Sequence, residues 1–253
     1  MATVGVFDSG AGGLSVLKEL LRQLPGHRFV YYADNANVPY GEKSAAFITG
    51  RSREITRTLI GKGADIIVVA CNTATAAAID TLRASFPLPF VGMEPAVKPA
   101  ALGTRSGVIG VLATAGTFKG SRYLTTRSNY EDGCKIVESV GKGWVELVEN
   151  GILDGPKAED TVRASVQPLL DSGADTLVLG CTHYPFLTPV IARVAGPGVK
   201  LINPAPAVAR RTAQVLSEKG LLPIGTENNG DSRVELLSSG DGKVLHKLYG
   251  LVR

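Results

Sequence analysis

The chain has 253 residues, 44% apolar and 20% charged, the balance of a soluble globular protein with enough length for one large core or two modest ones. No run of about 18 apolar residues occurs, so a membrane-spanning helix is excluded. The net charge of +4 comes from dispersed Lys and Arg, with small groupings such as Arg51, Arg53 and Arg57, and no aromatic residues interleave with them as a nucleic-acid surface would require.

Residues 3–7 read as a first β-strand, so the opening MATVGVFDSG is expected to be structural rather than a secretion signal. The turn Asp8-Ser9-Gly10-Ala11-Gly12-Gly13 follows, then an apolar-periodic helix carrying Leu14, Leu17, Leu20, Leu21 and Leu24. Its glycines let backbone approach an anion and Ser9 offers a hydroxyl, while Asp8 is placed to meet an ammonium group or to set the protonation of a thiol. The same turn, with Asp34 closing the next strand, partly imitates a dinucleotide-binding fingerprint but lacks its third Gly or Ala. No Gly-Lys-Ser/Thr follows, which excludes a P-loop. Residues 29–32 form the second strand, and a polar loop leaves it from Asp34-Asn35 to Pro39-Tyr40-Gly41-Glu42, where Tyr40 is either a hydroxyl donor or turn packing. A helix over 44–59 precedes residues 65–70, an apolar run that suits a strand buried on both faces. It ends at Cys71, which opens a helix over 73–82 with Asn72 or Thr73 as cap; a short strand over 89–91 comes next.

The pattern then restarts. Gly63-Ala64-Asp65-Ile66-Ile67-Val68-Val69-Ala70-Cys71 aligns without a gap on Gly173-Ala174-Asp175-Thr176-Leu177-Val178-Leu179-Gly180-Cys181. Val4-Gly5-Val6-Phe7-Asp8-Ser9 aligns on Ile109-Gly110-Val111-Leu112-Ala113-Thr114, and Met93-Glu94-Pro95-Ala96 on Ile202-Asn203-Pro204-Ala205. Three collinear matches indicate an internal duplication. The expected fold is α/β, with two pseudo-symmetric domains, each a mostly parallel sheet flanked by helices, and an active site in the cleft between them. The tail adds a helix over 208–217, a strand over 233–237 and a last helix bearing Val244, Leu245, Leu248 and Leu251. It has no counterpart in the other half, so the expected division is 1–97 plus 207–253 as a discontinuous first domain and 98–206 as the second.

Both cysteines sit at the carboxyl ends of buried strands, where open parallel sheets bind ligands and where a following helix N-terminus is expected to lower a thiol pKa. Deprotonation that inverts a stereocentre needs a base on one face of the carbon and an acid on the other, and the roles exchange with substrate handedness. Two like thiols from two like halves supply that. His183 beside Cys181 is a candidate general acid or thiolate partner, and Thr114 and Thr117 fill the turn equivalent to the one after the first strand. Zinc ligation by Cys71, Cys181 and His183 has no Cys-x-x-Cys or His-x-x-x-His spacing behind it. Cys134 reads as an ordinary strand residue and Trp144 as packing. An odd cysteine count favours a reducing cytosol over disulfide scaffolding.

These residues resemble the glutamate racemase family, whose members make D-glutamate for peptidoglycan. The resemblance is carried by Gly5-Val6-Phe7-Asp8-Ser9-Gly10-Ala11-Gly12-Gly13-Leu14, Pro39-Tyr40-Gly41, Ala70-Cys71-Asn72-Thr73-Ala74-Thr75-Ala76, Leu179-Gly180-Cys181-Thr182-His183-Tyr184-Pro185 and Ser239-Gly240-Asp241. It implies two catalytic thiols, Cys71 and Cys181, assisted by Asp8, His183 and Glu149. Substrate contacts are implied for Asp8, Ser9, Tyr40, Gly41, Asn72, Thr73, Thr114, Thr117, Thr182 and His183. It further implies no cofactor, no metal, a homodimer, and a cytoplasmic enzyme of cell-wall biogenesis with neither nucleic acid nor membrane as partner. One stretch departs: the family commonly has Cys-Pro before the segment leading to Glu149, where this chain has Val140-Gly141-Lys142-Gly143-Trp144. The alternatives are an aspartate or hydantoin racemase on the same scaffold, a nucleotide-dependent oxidoreductase that would require its cofactor, and a non-catalytic anion-binding protein indifferent to cysteine substitution.

Overall fold

Each half begins with a strand, a turn and a helix. In the computed structural model, which describes residues 1–221 and 232–253, the first half runs β1 (Thr3–Asp8), α1 (Leu14–Gln23), β2 (Arg28–Ala33), α2 (Ala45–Gly61), β3 (Ile66–Val69), α3 (Asn72–Ser85) and β4 (Phe90–Gly92). α4 (Val97–Gly103) leads to the second half: β5 (Val108–Ala113), the short helices α5 (Ala115–Phe118) and α6 (Ser121–Ser128), β6 (Lys135–Val140), α7 (Trp144–Glu149), α8 (Pro156–Asp171), β7 (Thr176–Gly180), α9 (Thr188–Ala195) and β8 (Lys200–Ile202). The tail gives α10 (Ala205–Glu218), β9 (Arg233–Ser238) and α11 (Lys243–Val252); residues 222–231 of the expected tail lie outside the described residues.

The sheets run β4-β3-β1-β2-β9 and β8-β7-β5-β6, all parallel. Exchanging β1–β4 for β5–β8 turns one order into the other, so the duplication read from three short matches extends to the topology. β9 has no counterpart: it extends the first sheet by pairing Arg233–Ser238 with Arg28–Ala33 in register. α10 and α11 both pack on α1. β3 is buried along its whole length, as its unbroken Ile-Ile-Val-Val run requires of a strand covered on both faces.

Equivalent glycines show how closely the halves repeat. A Cβ at Gly5 would lie 2.8 Å from Ile67 Cδ1 and 3.2 Å from Leu59 Cβ; one at Gly110 would lie 2.6 Å from Leu177 Cδ2 and 3.2 Å from Leu169 Cβ. At both places a helix leucine lies directly over the central strand, and only a residue without a side chain leaves room for it. Gly63 and Gly173, at φ +84° and +90°, reverse the chain between that helix and the next strand in each half. Cys134 differs from its expected state: it lies in the turn just before β6, buried, and is not a strand residue. Trp144 packs as expected, fully buried edge-on to Tyr184 with ring centroids 4.6 Å apart, its indole N–H donating to Thr161 O at 3.2 Å. Among the described residues no helix is long and apolar enough to cross a membrane.

Candidate active site

The carboxyl ends of β1, β3, β5 and β7 converge between the halves. Cys71 leaves β3 and is itself the cap of α3, its sulfur accepting from Ala74 N at 3.4 Å; Asn72 and Thr73, the expected caps, already lie inside the helix. Its thiol faces Ser9 Oγ at 3.8 Å. Cys181 leaves β7 at the equivalent point but enters a 3-10 turn, Tyr184–Leu187, with Pro185 in its first turn. The duplication breaks there, and His183 occupies the gap with Nδ1 3.7 Å from the Cys181 sulfur.

His183 is held from behind. Its Nε2 lies 2.6 Å from Glu149 Oε1, and the same carboxylate accepts from Ala11 N at 2.7 Å and from Asn35 Nδ2 at 3.1 Å. Burial alone would favour a neutral imidazole, but the bonds to Cys181 and Glu149 outweigh it and hold His183 well above the usual imidazole range. Burial likewise opposes the charged carboxylate of Glu149, yet His183, Ala11 and Asn35 together bring its pKa below the ordinary value. Asp8, fully buried, accepts from Gly13 N at 2.8 Å and from Thr182 Oγ1 at 3.3 Å, and its Oδ1 has no partner. Burial raises its pKa against the pull of the His183 charge. Cys71 corrects a sequence expectation. Burial, reinforced by the Asp8 charge, pushes its thiol well up, and the N–H of Ala74 at the helix N-terminus does not offset that.

The glycine turn also has a packing role that its sequence does not suggest. A Cβ at Gly10 would fall on the Glu149 carboxylate, and one at Gly12 would lie 2.6 Å from His183 Cγ. The turn is bare so that the second half can press its histidine and glutamate against it. Asp34 is equally committed: fully buried, it accepts from Tyr40 Oη at 2.6 Å, from Arg51 Nη2 at 2.7 Å and from Asn37 Nδ2 at 3.1 Å. No acceptor is left there for a ribose, which removes the ground for a dinucleotide reading. Tyr40 thus spends its hydroxyl on Asp34, and burial followed by that bond raises its pKa.

Both thiols line one narrow cavity, closed down to about 10 Å3, together with Ser9, Tyr40, Gly41, Asn72, Thr73, Thr114, Thr182 and His183. The Asp/Glu/Hydantoin racemase family model matches residues 4–212. A glutamate racemase of Roseiflexus sp. (strain RS-1) is 49% identical over 220 residues, 87% of this chain and 81% of its own. The chain belongs to this racemase family. The fold agrees closely with two glutamate racemase crystal structures. That of Bacillus anthracis matches with TM-score 0.86 at 31% identity, covering 98% of this chain and 92% of the other. That of Escherichia coli, in complex with L-glutamate and the activator UDP-MurNAc-Ala, matches with TM-score 0.81 at 35% identity, covering 94% and 98%.

Within this racemase, three expected site residues stand outside the cavity wall. Asp8 and Glu149 lie behind it, bonded to Thr182 and His183 respectively. Thr117 forms a hydroxyl cluster with Thr114 at 3.0 Å and Thr73 at 3.5 Å, and Thr73 meets Thr114 at 2.8 Å across the two halves. Two lining residues were not foreseen as site residues. Pro39 was visible only as part of a matching motif, and Val145 carries no chemical signal, being one apolar residue in the buried face of α7. The unusual segment before α7 leaves Glu149 bonded to His183 all the same. Among the described residues no group of three or more His, Cys, Asp or Glu is placed to hold a metal ion.

Proposed function

We propose that the chain interconverts L- and D-glutamate by moving the Cα proton between Cys71 and Cys181. The observation that supports it is the presence of both sulfurs, one from each half, in the wall of the same small cavity. One cysteine, as thiolate, takes the proton from one face of Cα while the other, as thiol, gives its proton to the opposite face. The configuration inverts, and the charge passes from one sulfur to the other. Burial and Asp8 favour the thiol form of Cys71, which suits it to the donor role. His183, held protonated by Glu149, offsets negative charge at Cys181 whenever that sulfur bears it. Asn72 Oδ1 and Nδ2, in the cavity wall, are buried without protein partners, an acceptor that suits an ammonium group and a donor that suits a carboxylate, and Asp8 Oδ1, buried just behind the wall, is likewise unpartnered. Ser9, Thr73, Thr114 and Thr182 supply further hydroxyls, and Gly41 brings backbone, for the two carboxylates.

The reading includes a division into 1–97 plus 207–253 and 98–206, which rests on the internal duplication and the unmatched tail, and a homodimer, a cytoplasmic location and a role in supplying D-glutamate for peptidoglycan, which the family resemblance implies. A circular-dichroism assay tests the activity. Either enantiomer of glutamate should decay to zero ellipticity without added cofactor, with aspartate and hydantoins turned over far more slowly. Faster racemisation of aspartate would reassign the substrate, and inertness toward every amino acid would remove the proposal.

A further inference from the structure

The catalytic cavity has a larger neighbour of about 320 Å3, with which it shares Pro39, Gly41, Thr114 and Val145. The shared wall makes this outer chamber the approach to the thiols. Three charged side chains line it: Glu42, Glu146 and Lys142. Both acids disfavour an anionic visitor, so among these charged side chains only Lys142 attracts a dicarboxylate. That residue comes from the stretch that departs from the family pattern, and its placement is defined by backbone. Lys142 N donates to Val140 O at 2.8 Å and Trp144 N to Gly141 O at 3.2 Å, while Gly143 turns the chain at φ +81°. The buried Trp144 anchors the far side of this turn. Lys142 is exposed, and among the described residues no acid pairs with it.

We propose that Lys142 is a specificity-determining residue that draws the dicarboxylate substrate through the outer chamber, offsetting Glu42 and Glu146. This rests on the glutamate reading above. An exposed cation at the mouth of a narrow site raises the local concentration of an anion without touching the reacting atoms, so it acts on KM and not on kcat.

The test compares wild type, Lys142→Glu and Lys142→Arg with Lys135→Glu, which carries the same charge change at the far end of β6, a strand about 17 Å long that ends two residues before Lys142. Steady-state kinetics with both enantiomers are paired with calorimetric affinity for glutarate, a dicarboxylate without a stereocentre. At low ionic strength Lys142→Glu should raise KM and weaken glutarate about five- to tenfold with kcat within about twofold, and the difference should shrink below about twofold near 0.5 M salt. Lys142→Arg and Lys135→Glu should stay near wild type. The inference is overturned if Lys142→Glu behaves like Lys135→Glu, or if its defect persists undiminished in high salt, the mark of a disturbed turn. A wild-type protein that binds glutarate in a Lys142-dependent manner but racemises no glutamate would instead sink the glutamate reading alone.

Discussion

Glu149 takes bonds from three separate segments: the His183 ring, the backbone N–H of Ala11 and the amide of Asn35. Through them one carboxylate fixes the histidine beside Cys181 and ties α7 of the second half to two turns of the first. The imidazole is held well above, and the carboxylate below, their ordinary pKa values. The sign of the resulting pH dependence follows directly. A folded state that keeps a proton on His183 beyond the unfolded value near 6.5 has its full benefit below that pH and loses it as pH rises toward the folded value. The Glu149 contribution is present above about pH 4.5 and disappears as pH falls through its lowered folded value. Thermal denaturation across pH 5–9 should therefore show a falling Tm above about pH 6.5 that Glu149→Gln flattens; a mutant with the wild-type slope would show that the pair is not coupled to stability. At this scale the sequence was partly legible. Cys-Thr-His marked the second thiol and its neighbour, but nothing local told that burial would override the helix N-terminus at Cys71, because that depends on how completely the other half covers it.

Two loop segments shape the site through contacts made away from the sulfurs as well as through the residues they place in its wall. The turn between β1 and α1 is bare where the second half docks, so Gly12→Ala drives a methyl group into the His183 ring. Overpacking of this kind costs about 1–3 kcal/mol, and moving the histidine is expected to lower kcat about 100-fold; near-normal turnover in a well-folded variant would show that the close approach does not matter. The loop after β2 is braced from α2, where Arg51 reaches both oxygens of Asp34, at 2.7 and 3.1 Å, and Asp34 holds the Tyr40 hydroxyl. Arg51→Ala leaves a buried carboxylate short of its cation and should cost about 2–3 kcal/mol in chemical denaturation. It should raise KM more than it lowers kcat, with Arg51→Lys recovering part of the loss, and an unaltered KM would remove the bracing role. Strands and helices were readable here because apolar periodicity is a local property: β3, α2 and β9 fall within a few residues of their expected bounds. The Asp34 network was not readable, since Asp34 and Arg51 stand 17 positions apart and only the fold brings them together.

On the scale of the whole molecule, the repeat in the sequence was the most informative feature, because duplicated strands demand duplicated sheets and set two cysteines at matching strand ends. It could not say how tightly the halves shut. They meet on one side through Glu149 with Ala11 and Asn35, and on the other through Thr73 with Thr114 and through Arg122, which bonds Asp80 at 2.5 Å and Glu94 at 3.4 Å. Between these contacts the space beside the sulfurs is only about 10 Å3, room for no more than a water, so entry of an amino acid from the outer chamber requires the halves or their loops to part. The most direct test of proton transfer between two thiols is solvent deuterium at Cα, followed by NMR or mass spectrometry from each pure enantiomer. Wild type should incorporate deuterium as it inverts the centre, while Cys71→Ala and Cys181→Ala each lose net racemisation, with any surviving exchange confined to one enantiomer. Undiminished racemisation in either single variant would contradict the mechanism.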